Sequence, residues 1–330
     1  MKQLEQLLKN TWDGYLSTVD DKDIAIAYKG DGAVRNAKDA HSDASFDIIY
    51  NPLRDKRKGG SASGTNVPPK PSGPDPCNLC TIVLKNHSIL DKRGDYVVAP
   101  NGWPINRYHT LLVLDQECPK SARQGELYSS DLLHAMNFSK DTGQLVIYNT
   151  FGAAATQHHQ HFQGFSYDSP VKRMETIPLS ADSVVHTMPE YAGSNFVFYG
   201  ADKISPAIDL VNRVRGMPSE YTYTVLFNEN QITVIPRRKS GETPACTQKK
   251  IGGFECSMVY VVGNKHSGDV VTESGQEVFF NLGYEDLFKA LQDATVPRDE
   301  FAGWYESHPM YAKKFPDRYV LQKSVTAGGR

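Results

Sequence analysis

The stretch Asn149-Thr-Phe-Gly-Ala-Ala-Ala-Thr-Gln-His-His-Gln-His-Phe-Gln163 constrains this chain more than any other. Three of the ten histidines fall within positions 158 to 161. Read as a strand, it puts His159, His161 and Gln163 on one face and His158, Gln160 and Phe162 on the other. The apolar run Leu145-Val-Ile-Tyr148 ahead of it reads as a second strand. Between them, Gly152 to Ala155 carry almost no side-chain bulk, so backbone N–H groups there can approach an anion. A strand, a small-residue turn and a strand bearing imidazoles fit a phosphate site with a nucleophile. On spacing alone, a solvated histidine loop or a metal site without catalysis stays open.

The rest of the chain bounds the possibilities. Its 330 residues suffice for one large or two medium domains. A net charge of -2 gives no global field for nucleic acid or an anionic membrane. A basic stripe interleaved with aromatics is also lacking. No apolar run approaches membrane-spanning length, and the start Met1-Lys-Gln-Leu-Glu5 lacks the apolar core of a signal peptide. Five cysteines do not read as a secreted disulfide framework, so a reducing, cytoplasmic setting is expected.

Along the chain, residues 3 to 18 have helical apolar spacing. Phe46 to Tyr50 reads as a strand, and Arg54 after it is a phosphate contact or a plain surface arginine. Residues 55 to 76 are rich in Lys, Gly, Ser and Pro and read as a flexible loop. Strands are expected at Asp95 to Pro100 and Leu111 to Leu114. A helix is expected over 129 to 140, capped by Ser129 or Ser130, with Leu132, Leu133 and Met136 on its buried face. Asn195 to Tyr199 reads as a strand, and Ser205 to Arg215 as a helix capped by Ser205. Tyr221 to Phe227 and Gln231 to Ile235 form a hairpin. The cations Arg237, Arg238 and Lys239 after it are phosphate ligands or ordinary strand-end charges. Phe254 to Val262 is expected to be one buried strand, and Tyr284 to Leu291 a short helix. Cys246 and Cys256 read as structural.

Cys77-Asn-Leu-Cys80 is either a zinc half-site or a redox pair. It follows a Pro-rich loop rather than a strand, which favours metal. Two further ligands are then needed.

The His159-x-His161-x-Gln163 run resembles the active-site motif of the histidine-triad superfamily in its transferase form. It is most similar to the diadenosine tetraphosphate phosphorylases (ATP adenylyltransferases), with a related run in the galactose-1-phosphate uridylyltransferases. The resemblance covers residues 95 to 165, is weaker over 221 to 262 and is absent in the first 45. It implies an α+β fold: an antiparallel meander sheet with helices packed on it, plus a C-terminal α+β half that extends the sheet. The parts would be an N-terminal segment (1 to 76), a catalytic core (77 to 200) and a C-terminal lobe (201 to 330). It implies His161 as the nucleophile, its other ring nitrogen held by a backbone carbonyl, and Gln163 as a donor to a phosphate oxygen. His159 would orient His161 or bind zinc. Gly152, Ala155, Thr156 and Gln157 would cradle the phosphate, Asn149 would contact the nucleotide, and Asn101 and Trp103 would lie by the ribose and base. The uridylyltransferase pattern supplies Cys118 and His159 as the remaining ligands of a structural zinc, although Cys118 stands where that family has histidine. Gln in the third position implies transfer to phosphate or a sugar phosphate, whereas three histidines accompany hydrolysis. The expected partners are a small nucleotide donor and that acceptor; a homodimer stays open. A hexose-1-phosphate nucleotidyltransferase or nucleotide-sugar phosphorylase, and a non-catalytic zinc-stapled nucleotide-binding module, are the alternatives.

Overall fold

The computed structural model describes residues 34–52, 79–80, 89–101, 105, 108–115, 124–155, 157, 159–179, 185–242, 250–267 and 270–307, together with Gln6. The helix expected over 3 to 18, apart from Gln6, lies outside the described residues. So do the 55 to 76 loop, Arg54, Cys77, Trp103, Cys118, Thr156 and Cys246.

In chain order the strands and helices begin with β1 (Val34–Lys38), β2 (Ser45–Tyr50), β3 (Asp91–Arg93), β4 (Tyr96–Pro100) and β5 (Thr110–Leu114). Helix α1 (Ser129–Thr142) leads to β6 (Leu145–Asn149) and β7 (His161–Phe165). Then come β8 (Ile177–Pro178), β9 (His186–Thr187), β10 (Phe196–Tyr199), α2 (Ile204–Gly216), β11 (Tyr221–Asn228) and β12 (Gln231–Arg238). The chain continues through α3 (Gly253–Cys256), β13 (Val259–Val262), β14 (Lys265–Ser267), β15 (Val270–Glu273), α4 (Gly275–Asn281), α5 (Tyr284–Ala294) and α6 (Arg298–Ser307).

Ten strands form one antiparallel sheet in the order β3-β4-β5-β7-β6-β11-β12-β10-β9-β8. The expected extension of the core sheet by the C-terminal half is therefore present: β6 pairs with β11. A second sheet, β1-β2-β13, has β13 parallel to β2.

Period-two alternation sends the strands' side chains into two cores. Val146, Tyr148, Phe162, Val225 and Phe227 face α1 and α2, where Leu132, Met136, Ala207, Val211 and Val214 close the layer. Leu145, Ile147, Phe165, Leu226 and Ile235 face the small sheet and α5, meeting Phe46, Ile48, Val259, Val261, Leu287 and Leu291. At the β4–β5 end, among the described residues, Val97, Ala99, Leu111 and Val113 line that second face, with Leu79 against them. The site occupies this second face, between the two apolar clusters.

Four local expectations are corrected. The cap of α1 is Tyr128, whose N–H donates to Asp131 Oδ2 at 2.8 Å, rather than Ser129 or Ser130. Leu133 is exposed, because the buried stripe is set by Leu132, Ala135, Met136 and Ser139. A 3-10 turn at Ala201–Lys203 runs straight into α2, which leaves Ser205 inside the first turn with no capping role. The run 254 to 262 is not one strand. Glu255 Oε2 accepts the Gly252 N–H at 2.8 Å and starts a helical turn, and Met258 at φ 63° breaks the chain before β13.

Candidate active site

Alternation at the motif is as expected. Gln160 and Phe162 face the α1 side: Gln160 Nε2 donates to Tyr96 OH at 2.7 Å, and Phe162 packs on the rings of Tyr96 and Tyr148. His161 and Gln163 face the other way, beside Asn149 at the end of β6. The ladder itself starts at His161, with His159 just ahead of it.

His161 is buried, and its Nδ1 lies 2.8 Å from His159 O. A carbonyl can only accept, so Nδ1 carries the proton and Nε2 keeps the lone pair. Burial pushes the imidazolium form down in stability and lowers the His161 pKa to about 4, so the ring is neutral near pH 7.

Gln163 is oriented by His109, the residue just ahead of β5. His109 is buried, with its ring against Phe165. Its Nδ1 accepts the Ile105 N–H at 3.1 Å. A neutral imidazole has one accepting nitrogen, so Nε2 bears the proton and donates to Gln163 Oε1 at 3.2 Å. The oxygen of Gln163 is thereby tied back, and its NH2 group is left as the outward donor. The Asn101 amide nitrogen lies 2.9 Å from the same His109 nitrogen. Asn101 thus reaches the site's edge.

Asn149 is held in a similar way: its Oδ1 accepts from Thr224 Oγ1 at 2.9 Å. After it, the turn is compact. Thr150 O accepts the N–H groups of Ala153 (3.0 Å) and Ala155 (3.2 Å). Gly152 (φ 77°) and Ala154 (φ 72°) adopt left-handed backbone. A Cβ on Gly152 would collide with the Lys239 side chain, so the lysine stem lies across the turn. Gln157 follows, half-buried.

Of the three cations at the end of β12 and just past it, Arg237 turns into the core. It is fully buried, and its guanidinium donates to Ala294 O, Thr224 Oγ1 and Ile251 O at 3.3, 3.2 and 2.5 Å. It supports Asn149 at one remove, through Thr224. Arg238 pairs with Glu300. Lys239 alone of the three lies against the turn.

His159 faces Cys80. Its Nδ1 is 3.1 Å from Cys80 Sγ and its Nε2 is 2.7 Å from Leu114 O. The carbonyl takes the Nε2 proton, so Nδ1 is a lone-pair donor beside a thiol. A thiol and an imidazole nitrogen so placed could supply two of the four ligands that a tetrahedral zinc needs, with the second ring nitrogen fixed by a carbonyl. The other two expected ligands, Cys77 and Cys118, lie outside the described residues. Among the described residues, no group of three metal-binding side chains forms.

Three contributors escaped the sequence reading: His109, Gln124 and Gly253. Gln124 bonds to the backbone of both Asn149 and His161. Gly253 lies so close to β6 that a Cβ there would collide with Ile147 and press on Asn149. None belongs to the motif by spacing; each comes from a distant segment brought in by the fold.

This arrangement can be compared with solved structures. Yeast Ap4A phosphorylase Apa2 superposes with a TM-score of 0.59 at 15% identity, over 88% of this chain and 94% of that one. The chain has the fold of that phosphorylase. Apa2 in complex with Ap4A matches with a TM-score of 0.58 at 15% identity, over 84% and 97% of the two chains. Apa2 in complex with AMP gives 0.54 at 16%, over 84% and 96%. No family model and no curated protein matches the sequence. Among the described residues, no helix is long and apolar enough to cross a membrane.

Proposed function

We propose that this chain is a nucleotidyltransferase of the phosphorylase type, which cleaves a dinucleoside polyphosphate with inorganic phosphate through a nucleotidyl-histidine. The observation that carries the reading is the buried, neutral His161, with Nδ1–H on a backbone carbonyl and the Nε2 lone pair left for chemistry. Its fold likeness to a phosphorylase solved with Ap4A and with AMP supports the substrate class.

In the first step, Nε2 attacks the α-phosphorus. A P–N bond forms, the P–O bond to the leaving nucleotide breaks, and that nucleotide departs with the electron pair. As charge grows on the ring, the Nδ1–H···O bond to His159 strengthens and stabilises it. Phosphate oxygen then attacks the same phosphorus and breaks the P–N bond, which restores His161. Gln163 and Asn149 suit an anion: protein donors hold both amide oxygens, so their NH2 groups are the parts left to donate. Neither adds a titrating charge. Cys80 and His159, with Cys77 and Cys118, would hold a structural zinc that staples the segment before β3 to the catalytic strand. The Cys80–His159 pair also favours a second reading, transfer to a hexose 1-phosphate. A cytoplasmic setting, with soluble nucleotides, fits either.

The test is incubation with α-labelled diadenosine tetraphosphate and nucleotide sugars without acceptor. Protein should carry an acid-labile, base-stable label that inorganic phosphate discharges, and His161→Ala should carry none. Discharge by hexose 1-phosphate but not by phosphate selects the second reading. Nucleotide binding with no label from any donor leaves a non-catalytic binding module.

A further inference from the structure

The strands that carry the site stop pairing one step early. β6 and β7 pair Leu145 with Phe165, Val146 with Gly164 and Ile147 with Gln163. The same register, extended two residues, sets Asn149 opposite His161. In place of that pair stands the side chain of Gln124. Its Nε2 donates to Asn149 O at 2.5 Å, and its Oε1 accepts the His161 N–H at 3.0 Å. Nε2 also lies 3.5 Å from His161 O. An amide side chain offers a donor and an acceptor as a peptide unit does. Gln124 therefore completes the ladder at the width of an inserted group, where a direct N–H···O bond would have closed it.

The insert is anchored. Gln124 is 3% exposed. The next residue is gripped on both sides: Gly125 N–H donates to Tyr148 OH at 2.6 Å, and Gly125 O accepts from Tyr223 OH at 2.9 Å. Burial holds both phenols well above their ordinary pKa, so they stay protonated. Gly125 turns there at φ 122°, a backbone open to glycine. Two core tyrosines thus fix the wedge at the mouth of the split.

We infer that Gln124 is a positioning residue for the nucleotidyl transfer proposed above, holding β6 and β7 apart so that Asn149 and His161 address one phosphate chain from separated strands. It touches no substrate and acts through the His161 backbone. Without its amide the two strands zip one pair further, and the His161 ring moves with its strand. The inference rests on the proposed transfer reaction, and its test separates the two.

Gln124→Met keeps length and bulk but neither hydrogen bond; Gln124→Glu keeps the acceptor for His161 N–H. Three quantities are measured per folded molecule: single-turnover labelling by α-labelled diadenosine tetraphosphate, AMP affinity by calorimetry, and the carbethoxylation rate of His161 by diethyl pyrocarbonate, mapped by mass spectrometry. A displacement of about 1 Å costs about a hundredfold in rate. Labelling by Gln124→Met should fall by about that factor, with Gln124→Glu in between. AMP affinity should change by less than about fivefold, since neither NH2 donor is removed. His161 carbethoxylation should change in Gln124→Met. Wild-type labelling rates with unchanged carbethoxylation in both variants would overturn the inference, as would losses that only track the folded fraction. If the wild type takes no label from any donor, the transfer reading fails, and the carbethoxylation comparison alone decides the wedge. Should Gln124→Met not fold, the same comparison is made with Gln124→Glu.

Discussion

A buried cation and a buried neutral ring do different things for an anion, and the residues around Asn149 show both. Arg237 has the charge expected of a phosphate ligand, yet its donors end on two carbonyls and the Thr224 hydroxyl inside the protein. Hydrogen bonds to a charged group contribute about 1.5–3 kcal/mol each, and leaving the acceptors bare costs more. Arg237→Met should therefore lower folding stability by about 3 kcal/mol or more, read by urea denaturation. Nucleotide affinity per folded molecule should fall much less, through the slackened Thr224–Asn149 bond. A loss of affinity at unchanged stability would return Arg237 to the ligand. The opposite case is Gln163, whose oxygen faces the His109 N–H. Gln163→Glu presents carboxylate oxygens where an NH2 group stood, beside a substrate that is itself anionic. We expect single-turnover labelling to drop by at least about a hundredfold, as when one anion-stabilising donor is removed. An unchanged rate would mean that this amide faces no phosphate.

At the scale of elements, close approach rather than side-chain chemistry places the site. Helix α3 abuts β6 at Gly253, where a Cβ would collide with Ile147 and Asn149. Gly253→Ala must push the helix or the strand aside, and Asn149 is the side chain that moves. Its expected cost is about 1–3 kcal/mol of stability from overpacking, with nucleotide affinity reduced as well; calorimetry with AMP against thermal unfolding checks both. Such contacts explain which parts were legible beforehand. The motif strand and its facing follow from period-two alternation, whereas the carbonyl on the His161 ring is what the histidine-triad resemblance implies. The hairpin over Tyr221 to Ile235 follows from alternation on either side of Asn228 to Asn230, while its strands run further, to Asn228 and Arg238. Gln124, His109 and Gly253 act through contacts 25 or more residues away in sequence for Gln124 and 54 for His109, which no local pattern encodes. The segment 254 to 262 misled because a short apolar run suits a buried turn of helix as well as a strand, and only the Glu255–Gly252 bond decides.

For the whole molecule, the strand that carries His161 lies next to β5, at the β4–β5 end of the large sheet. The β4–β5 end of its second face is closed among the described residues by Leu79 over four small or branched residues, with Cys80 beside His159. A metal at Cys80 and His159 would fasten that cover to the strand carrying His161, two residues on. Because zinc bound only by the folded chain stabilises it by mass action, removal should act on folding as well as on turnover. We expect about one zinc per chain by elemental analysis. Prolonged chelation should lower the thermal midpoint, and added zinc should restore it. Cys80→Ser and His159→Asn should each lose the metal, and chelator should then shift their midpoints no further. The outcome that removes zinc from this picture is a metal-free protein whose midpoint ignores chelator. The Cys80–His159 contact would then be a thiol hydrogen bond within an apolar lid, and Cys80→Ala would cost no more than an ordinary small-residue change.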